Sequence, residues 1–206
     1  MKVRQLLTVL FAVLMLCATA PGSAQAAGMP SGPYVSPWGD AQVEWAPEFK
    51  ARLAEQEVVI TPIDPVYALP GDAGIKSDIG WTSGDHFDLE EFGRVYYPGG
   101  VNLSSSLSGG SWTMDEFYLR FSPTRGLSSY LEVNGVRSET EQLFCSYTLR
   151  DAFGPGWGLA PGGIRTARVP LTLTAVGAGT LNEALGTSFE AGDAFGTLSG
   201  TFRYLP

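Results

Sequence analysis

Cysteine and histidine are almost missing from this chain: of 206 residues, two are Cys and one is His. A zinc centre needs three or four Cys, His or carboxylate ligands, so none is expected. Any Ser-His-Asp or Cys-His machinery would have to turn on His86, and no serine lies in a G-x-S-x-G elbow. Lys and Arg total 13 and nowhere cluster along the chain, so the sequence carries no footprint for nucleic acid or an anionic membrane. The long apolar run, Leu6 to Ala18, is shorter than the roughly 20 residues that span a bilayer.

That run has the flanks of an export signal. Lys2 and Arg4 precede it, and Ala24-Gln25-Ala26 places small residues where a signal peptidase reads them. Residues 1–26 therefore read as a secretory signal peptide cleaved after about Ala26, which predicts a secreted, extracellular protein without a membrane span in the mature chain. Cleavage removes Cys17 and leaves Cys145 alone, so no internal disulfide forms. It also removes two basic residues. The 13 fall to 11 against 21 acidic ones, a net charge of −10.

Residues 27–46 are rich in Pro and Gly and read as an N-terminal arm, docked through Trp38 and Trp45. Residues 47–206 read as a single β-rich domain. Pro47 suits a first helical turn, Glu48 suits its positive end, and Phe49 and Leu53 share a face, so a helix is predicted to Glu57. Short strands follow, separated by Pro98-Gly99-Gly100, Gly109-Gly110 and the hairpin signal Asn134-Gly135. Strict alternation puts Trp112, Met114, Glu116, Tyr118 and Arg120 on one face, and Leu143, Cys145, Tyr147 and Leu149 toward a core. Thr174 is placed to cap a helix to Leu185, stopped by Gly186. Gly177-Ala178-Gly179 imitates a dinucleotide fingerprint, but no βαβ unit follows, and small residues here let a helix approach a sheet closely. The prediction is a mainly β fold, an antiparallel β-sandwich or open barrel with two short helices, at about 47–57 and 175–185.

Asp85, Asp88, Glu90 and Glu91 form the densest acidic cluster and are the calcium candidates; their spacing matches no calcium loop, so a solvated strand edge is expected instead of a metal site. Glu90, Asp115, Glu116 and Glu132 are the carboxylates from which a glycoside hydrolase pair would be drawn, and such a pair must stand roughly 5–9.5 Å apart. Trp81, Trp112 and Trp157 lie near turns, where they serve either as sugar platforms or as core.

Three blocks, Ile60 to Pro65, Gly93 to Leu103 and Leu171 to Leu198, resemble secreted β-rich proteins of high-GC Gram-positive bacteria that have no assigned activity. More distantly, the chain is similar to HtaA-type haem-binding modules, through its β-rich build and its strand-helix-strand ending. That family binds haem through a tyrosine supported by a histidine. The resemblance therefore implies His86 with Tyr96 or Tyr97 as haem candidates. The expected function is a secreted, non-enzymatic binding or cell-envelope module with no resident cofactor and no catalytic residues, taking a small-molecule or cell-envelope ligand. Haem binding of the HtaA type and carboxylate-dependent glycoside hydrolysis are the alternatives.

Overall fold

The computed structural model describes residues 38–79, 94–121 and 124–203. Residues 1–26, predicted as a signal peptide, residues 27–37, Trp81, His86 and the cluster Asp85, Asp88, Glu90 and Glu91 lie outside them. Thirteen strands form one sheet: β1 (Trp38–Trp45), β2 (Val58–Ile63), β3 (Tyr67–Ala68), β4 (Gly74–Asp78), β5 (Arg94–Ser105), β6 (Ser111–Arg120), β7 (Gly126–Ser129), β8 (Glu132–Val133), β9 (Val136–Arg137), β10 (Gln142–Ser146), β11 (Gly158–Ala160), β12 (Gly163–Leu173) and β13 (Ala194–Arg203). Every pairing is antiparallel. The order β2-β5-β6-β7-β10-β12-β13-β1-β4-β3 curls round until β3 lies against β2 and β4 against β5, giving a nearly closed barrel. Of the two architectures expected, the barrel is the one present.

Three helices accompany it, one more than the sequence pattern predicted: α1 (Pro47–Glu55), α2 (Leu149–Ala152) and α3 (Ala175–Leu185). The extra one is a single turn. It is nucleated by Thr148, whose hydroxyl oxygen accepts the Asp151 N–H at 3.2 Å. The Thr174 cap is as expected, with its Oγ1 accepting the Gly177 N–H at 3.0 Å, and α3 ends at Gly186 with φ 68°.

The arm reading needs correction. Residues 38–45 are β1, held between β13 and β4, and Trp45 packs in the core. Asp40, Gln42 and Glu44 face outward between Ala41, Val43 and Trp45, an alternation that the neighbouring prolines and glycines obscure. Pro98-Gly99-Gly100 is likewise no turn. β5 runs straight through it with a register shift between Pro98 and Val101, and a Cβ at Gly100 would sit 1.7 Å from the Met114 carbonyl oxygen. That irregularity breaks the alternation predicted for β6. Met114 and Phe117, three residues apart, both enter the core, so Tyr118 and Arg120 leave the face of Trp112. Asn134-Gly135 turns the small β8–β9 hairpin, while β7 itself pairs with β10. A second shift, at Leu143/Cys145, sends Cys145 and Tyr147 inward; Leu143 is only half-buried and Leu149 is exposed.

α1 follows β1 and α3 follows β12, so both helices close the same end of the barrel. Trp45, Phe49, Phe144, Phe189 and Phe195 pack there with ring centroids 4.8–5.9 Å apart. Burying each such side chain contributes on the order of 1.5–3 kcal/mol. The opposite end carries no helix of comparable length, and its chemistry is different.

Candidate functional site

β1 and β12 begin at the end opposite α1 and α3, and β4 and β13 finish there. Arg94 and Arg120, paired across β5 and β6, lie at that end too, as does Gly163 opposite Arg203. Inside it stand Tyr97, Tyr147, Phe121 and Phe202. Tyr97 is fully buried and stacked on Phe117, with centroids 4.9 Å apart and planes 10° from parallel. Its phenol O–H has no hydrogen-bond partner among the described residues. Burial pushes its ionisation far up, and the charge of Asp40 adds to the shift. Tyr147 donates to the Arg120 carbonyl oxygen at 2.9 Å; burial raises its pKa too, against an opposing pull from Arg125. Phe121 meets Phe202 edge-on, 6.0 Å between centroids. The interior at this end is therefore aromatic, with two neutral phenols.

On the outer wall of the same strands Glu141 accepts hydrogen bonds from Arg94, from Ser128 and from Arg120, the last at 2.7 Å. The Arg94 side chain is 7% exposed and that of Glu141 11%, so two guanidiniums share one carboxylate in a desolvated place. The Arg94 guanidinium carbon lies 4.2 Å from the centroid of the Tyr118 ring, and Tyr96 packs on Tyr118 at 5.4 Å. Tyr96 donates to Glu116 Oε1 at 3.4 Å.

Around this end Arg125, Arg150, Arg165 and Arg168 are exposed, and none of the four forms an ion pair among the described residues. Other cations are ion-paired, Arg52 with Asp193, Lys76 with Asp40 and Arg137 with Asp115, while Lys50 donates to the Asp72 carbonyl at 2.9 Å. Glu48, Glu55, Glu57, Glu183, Glu190 and Asp193 gather instead around α1 and α3. Among the described residues this end thus carries four exposed, unmatched arginines, beside Asp40, Asp78, Glu141 and Asp151. Guanidinium forks hold carboxylate and phosphate well, so this end suits an anionic ligand with an apolar body. Among the described residues no group of three or more His, Cys, Asp or Glu is placed to hold a metal. A shallow polar depression of about 380 Å³ lies at the other end, between Ser108–Ser111 and Glu183, without paired titratable groups.

The sequence candidates separate. Tyr96 and Tyr97 are adjacent on β5 and point to opposite faces, so one ligand cannot use both. Tyr97 is the tyrosine that faces the aromatic interior, where burial raises its pKa. Tyr96 lies buried on the wall, packed on Tyr118 and with its O–H donating to Glu116. Asp115 and Glu116 are both drawn to Arg137, at 2.5 and 3.9 Å, on a half-exposed strand face with Glu132 nearby. Trp112 is core, its indole N–H donating to Thr180 at 3.1 Å, and Trp157 is half-buried against Phe153. Sequence reasoning missed the arginines because they lie far apart between residues 94 and 203. One signal was available: from Gln142 to Asn182 Arg150, Arg165 and Arg168 face a lone acid, Asp151.

The architecture is that of a helix-capped, nearly closed antiparallel barrel. A solved structure with this build is the C-terminal domain of HtaA from Corynebacterium glutamicum. It superposes with a TM-score of 0.56 over 81% of this chain and 96% of that one, at 9% sequence identity, so the two share a fold. No family model matches the chain, and a search of curated proteins finds no relative.

Proposed function

We propose that the chain is a secreted, non-catalytic binding module that takes an anionic, largely apolar small molecule at the arginine end of its barrel. The observation that carries this is the exposed Arg125 beside an aromatic interior built by Tyr97, Tyr147, Phe121 and Phe202. Haem has the matching chemistry, a flat apolar body with two carboxylates, and the shared fold with an HtaA domain makes it the ligand to try first. Here Arg125 would hold a carboxylate of the ligand, and Tyr97 is the phenol on the inner side of that end. The non-catalytic reading is supported by Asp115 and Glu116, which Arg137 engages on an open face instead of across a cleft.

Titration with haemin, followed by its Soret band, tests the reading. A saturable shift is expected, weakened about fivefold by Arg125→Gln, the loss of roughly one charge-assisted hydrogen bond. Absence of a shift removes haem. If a long-chain fatty acid also fails to quench tryptophan fluorescence, the binding reading itself falls.

A further inference from the structure

We infer that the face built by α2, β11 and the adjoining part of β12 docks the protein onto an anionic lipid bilayer. Leu149, Phe153 and Leu159 are 41%, 51% and 78% exposed, three large apolar side chains within eleven residues of chain. Arg150, Arg165 and Arg168 stand among them without a carboxylate partner among the described residues. Their acidic neighbour, Asp151, is turned to the Thr148 hydroxyl, at 2.5 Å. The face is held to the barrel, since Thr166 donates to the Ala152 carbonyl at 3.0 Å and β11 pairs with β12 from Gly158 to Ala160. It is therefore presented as a unit.

Charge selects the partner's sign. Arginines left uncompensated in a chain of net charge −8 mark a place for anions. Shape selects a bilayer over a protein. A protein partner needs a complementary surface of roughly 800 Å² per side. A bilayer needs only projecting apolar side chains that enter the headgroup boundary, with basic residues around them. The β11–β12 hairpin projects in this way, turning through Pro161 and Gly162 with Leu159 beside the turn. No described helix is long and apolar enough to cross a membrane, so the contact is peripheral. The sequence reading set anionic membranes aside because no basic cluster lies along the chain; the fold assembles one.

Co-sedimentation of the full chain with vesicles tests this, comparing phosphatidylcholine alone with a phosphatidylglycerol mixture. Any pull from the apolar leader is common to all variants, so differences between them read this face. Binding to the phosphatidylglycerol vesicles should fall about fivefold for each of Arg150→Gln and Arg165→Gln, since each basic residue near such a surface is worth about 1 kcal/mol. Leu159→Ser should weaken it as well, whereas Leu107→Ser, a comparably exposed leucine at the helix end, should not. About 1 M salt, with its ~3 Å screening length, should release the arginine-dependent part. Equal binding to both vesicle types, equal loss from the two leucine variants, or retention on polyglutamate that ignores Leu159→Ser would each overturn the proposal. Circular dichroism of every variant separates loss of the face from loss of the fold, and haemin titration of the same variants keeps this result separate from the ligand reading.

Discussion

Two glycines in α3 should answer the same substitution with opposite signs. Exchanging glycine for alanine inside a helix ordinarily stabilises by roughly 0.8–1 kcal/mol. Gly179 faces open space, with nothing within 4 Å of a Cβ built there, so Gly179→Ala should deliver most of that gain. At Gly177 the new Cβ would stand 2.1 Å from the Phe144 carbonyl oxygen and 2.9 Å from its carbon. Ordinary contact begins at 3.4 Å, so helix and strand must part by more than an ångström. They are not free to do so. Thr174 donates its hydroxyl to the Leu143 carbonyl at 2.7 Å and its N–H to that of Phe144 at 3.0 Å, while Leu181, Ala184 and Leu185 are buried behind it. Overpacking of this kind costs about 1–3 kcal/mol and can cost more, so Gly177→Ala should lose about 2 kcal/mol net. The gap between the variants is then about 3 kcal/mol, or roughly 1.5 M in the urea midpoint at ~2 kcal/mol/M. Urea titration by tryptophan fluorescence reads it. If the two variants shift the midpoint in the same direction by similar amounts, α3 does not seat against β10 as described, and the packing of the helix end is wrong.

Glu141→Ala should destabilise by about 3 kcal/mol, because it removes the carboxylate that Arg94 and Arg120 share in a desolvated place; thermal unfolding that moves by less than the equivalent of ~1 kcal/mol would show the cluster to be a surface ornament. Asp40 predicts the pH profile. Burial pushes its carboxyl up, but the Lys76 ammonium at 2.6 Å and the Thr201 hydroxyl at 2.5 Å outweigh it and hold it below 3.8. A depressed folded value means stability present above the unfolded pKa and lost as pH falls through the folded one. Lys76, raised above 10.5 chiefly by its hydrogen bond to Asp40, contributes stability that is present below 10.5 and lost as pH rises through its folded value. Melting temperatures against pH should therefore flatten on both limbs in Asp40→Asn, with the acid limb only partly removed because the Glu190 N–H and Arg52 hold Asp193 down as well. An unchanged profile would refute the coupling.

How legible the fold was in the sequence depends on which physical signal each segment carries. α1 and α3 could be read because cap, stop and apolar spacing agree within each segment: Pro47 with Phe49 and Leu53, Thr174 with Leu181 and Gly186. The β class could be read because turn residues and short alternating runs repeat. The failures fall where a signal has two meanings. Gly99-Gly100 breaks a strand in most settings; here Gly100 lets β5 approach the backbone of β6 at Met114, and the irregularity reassigns faces on both strands. Prolines and glycines before Pro47 read as an arm, yet β1 needs only Ala41, Val43 and Trp45 to alternate inward. In each case the missing information is the neighbouring strand, which no local window contains.

The site was illegible for a related reason. An antiparallel barrel reverses the chain at every strand, so alternate strand ends meet whatever their distance in sequence. Arg94 and Arg120 are joined through Glu141 by such reversals, and Arg203 comes opposite Gly163, two residues from Arg165. Spacing along the chain contains none of this, and a search for basic runs returns nothing. Among the described residues, exposed arginines without an ion pair collect where β7 and β12 begin and at α2. Such a grouping gains little for folding, since exposed charges contribute only tenths of a kcal/mol to stability and like charges brought together repel. A partner of opposite sign would supply the missing compensation. That is why Arg125, Arg150, Arg165 and Arg168, which form no ion pair among the described residues, argue for the proposed anion more strongly than any single tyrosine argues for a particular one.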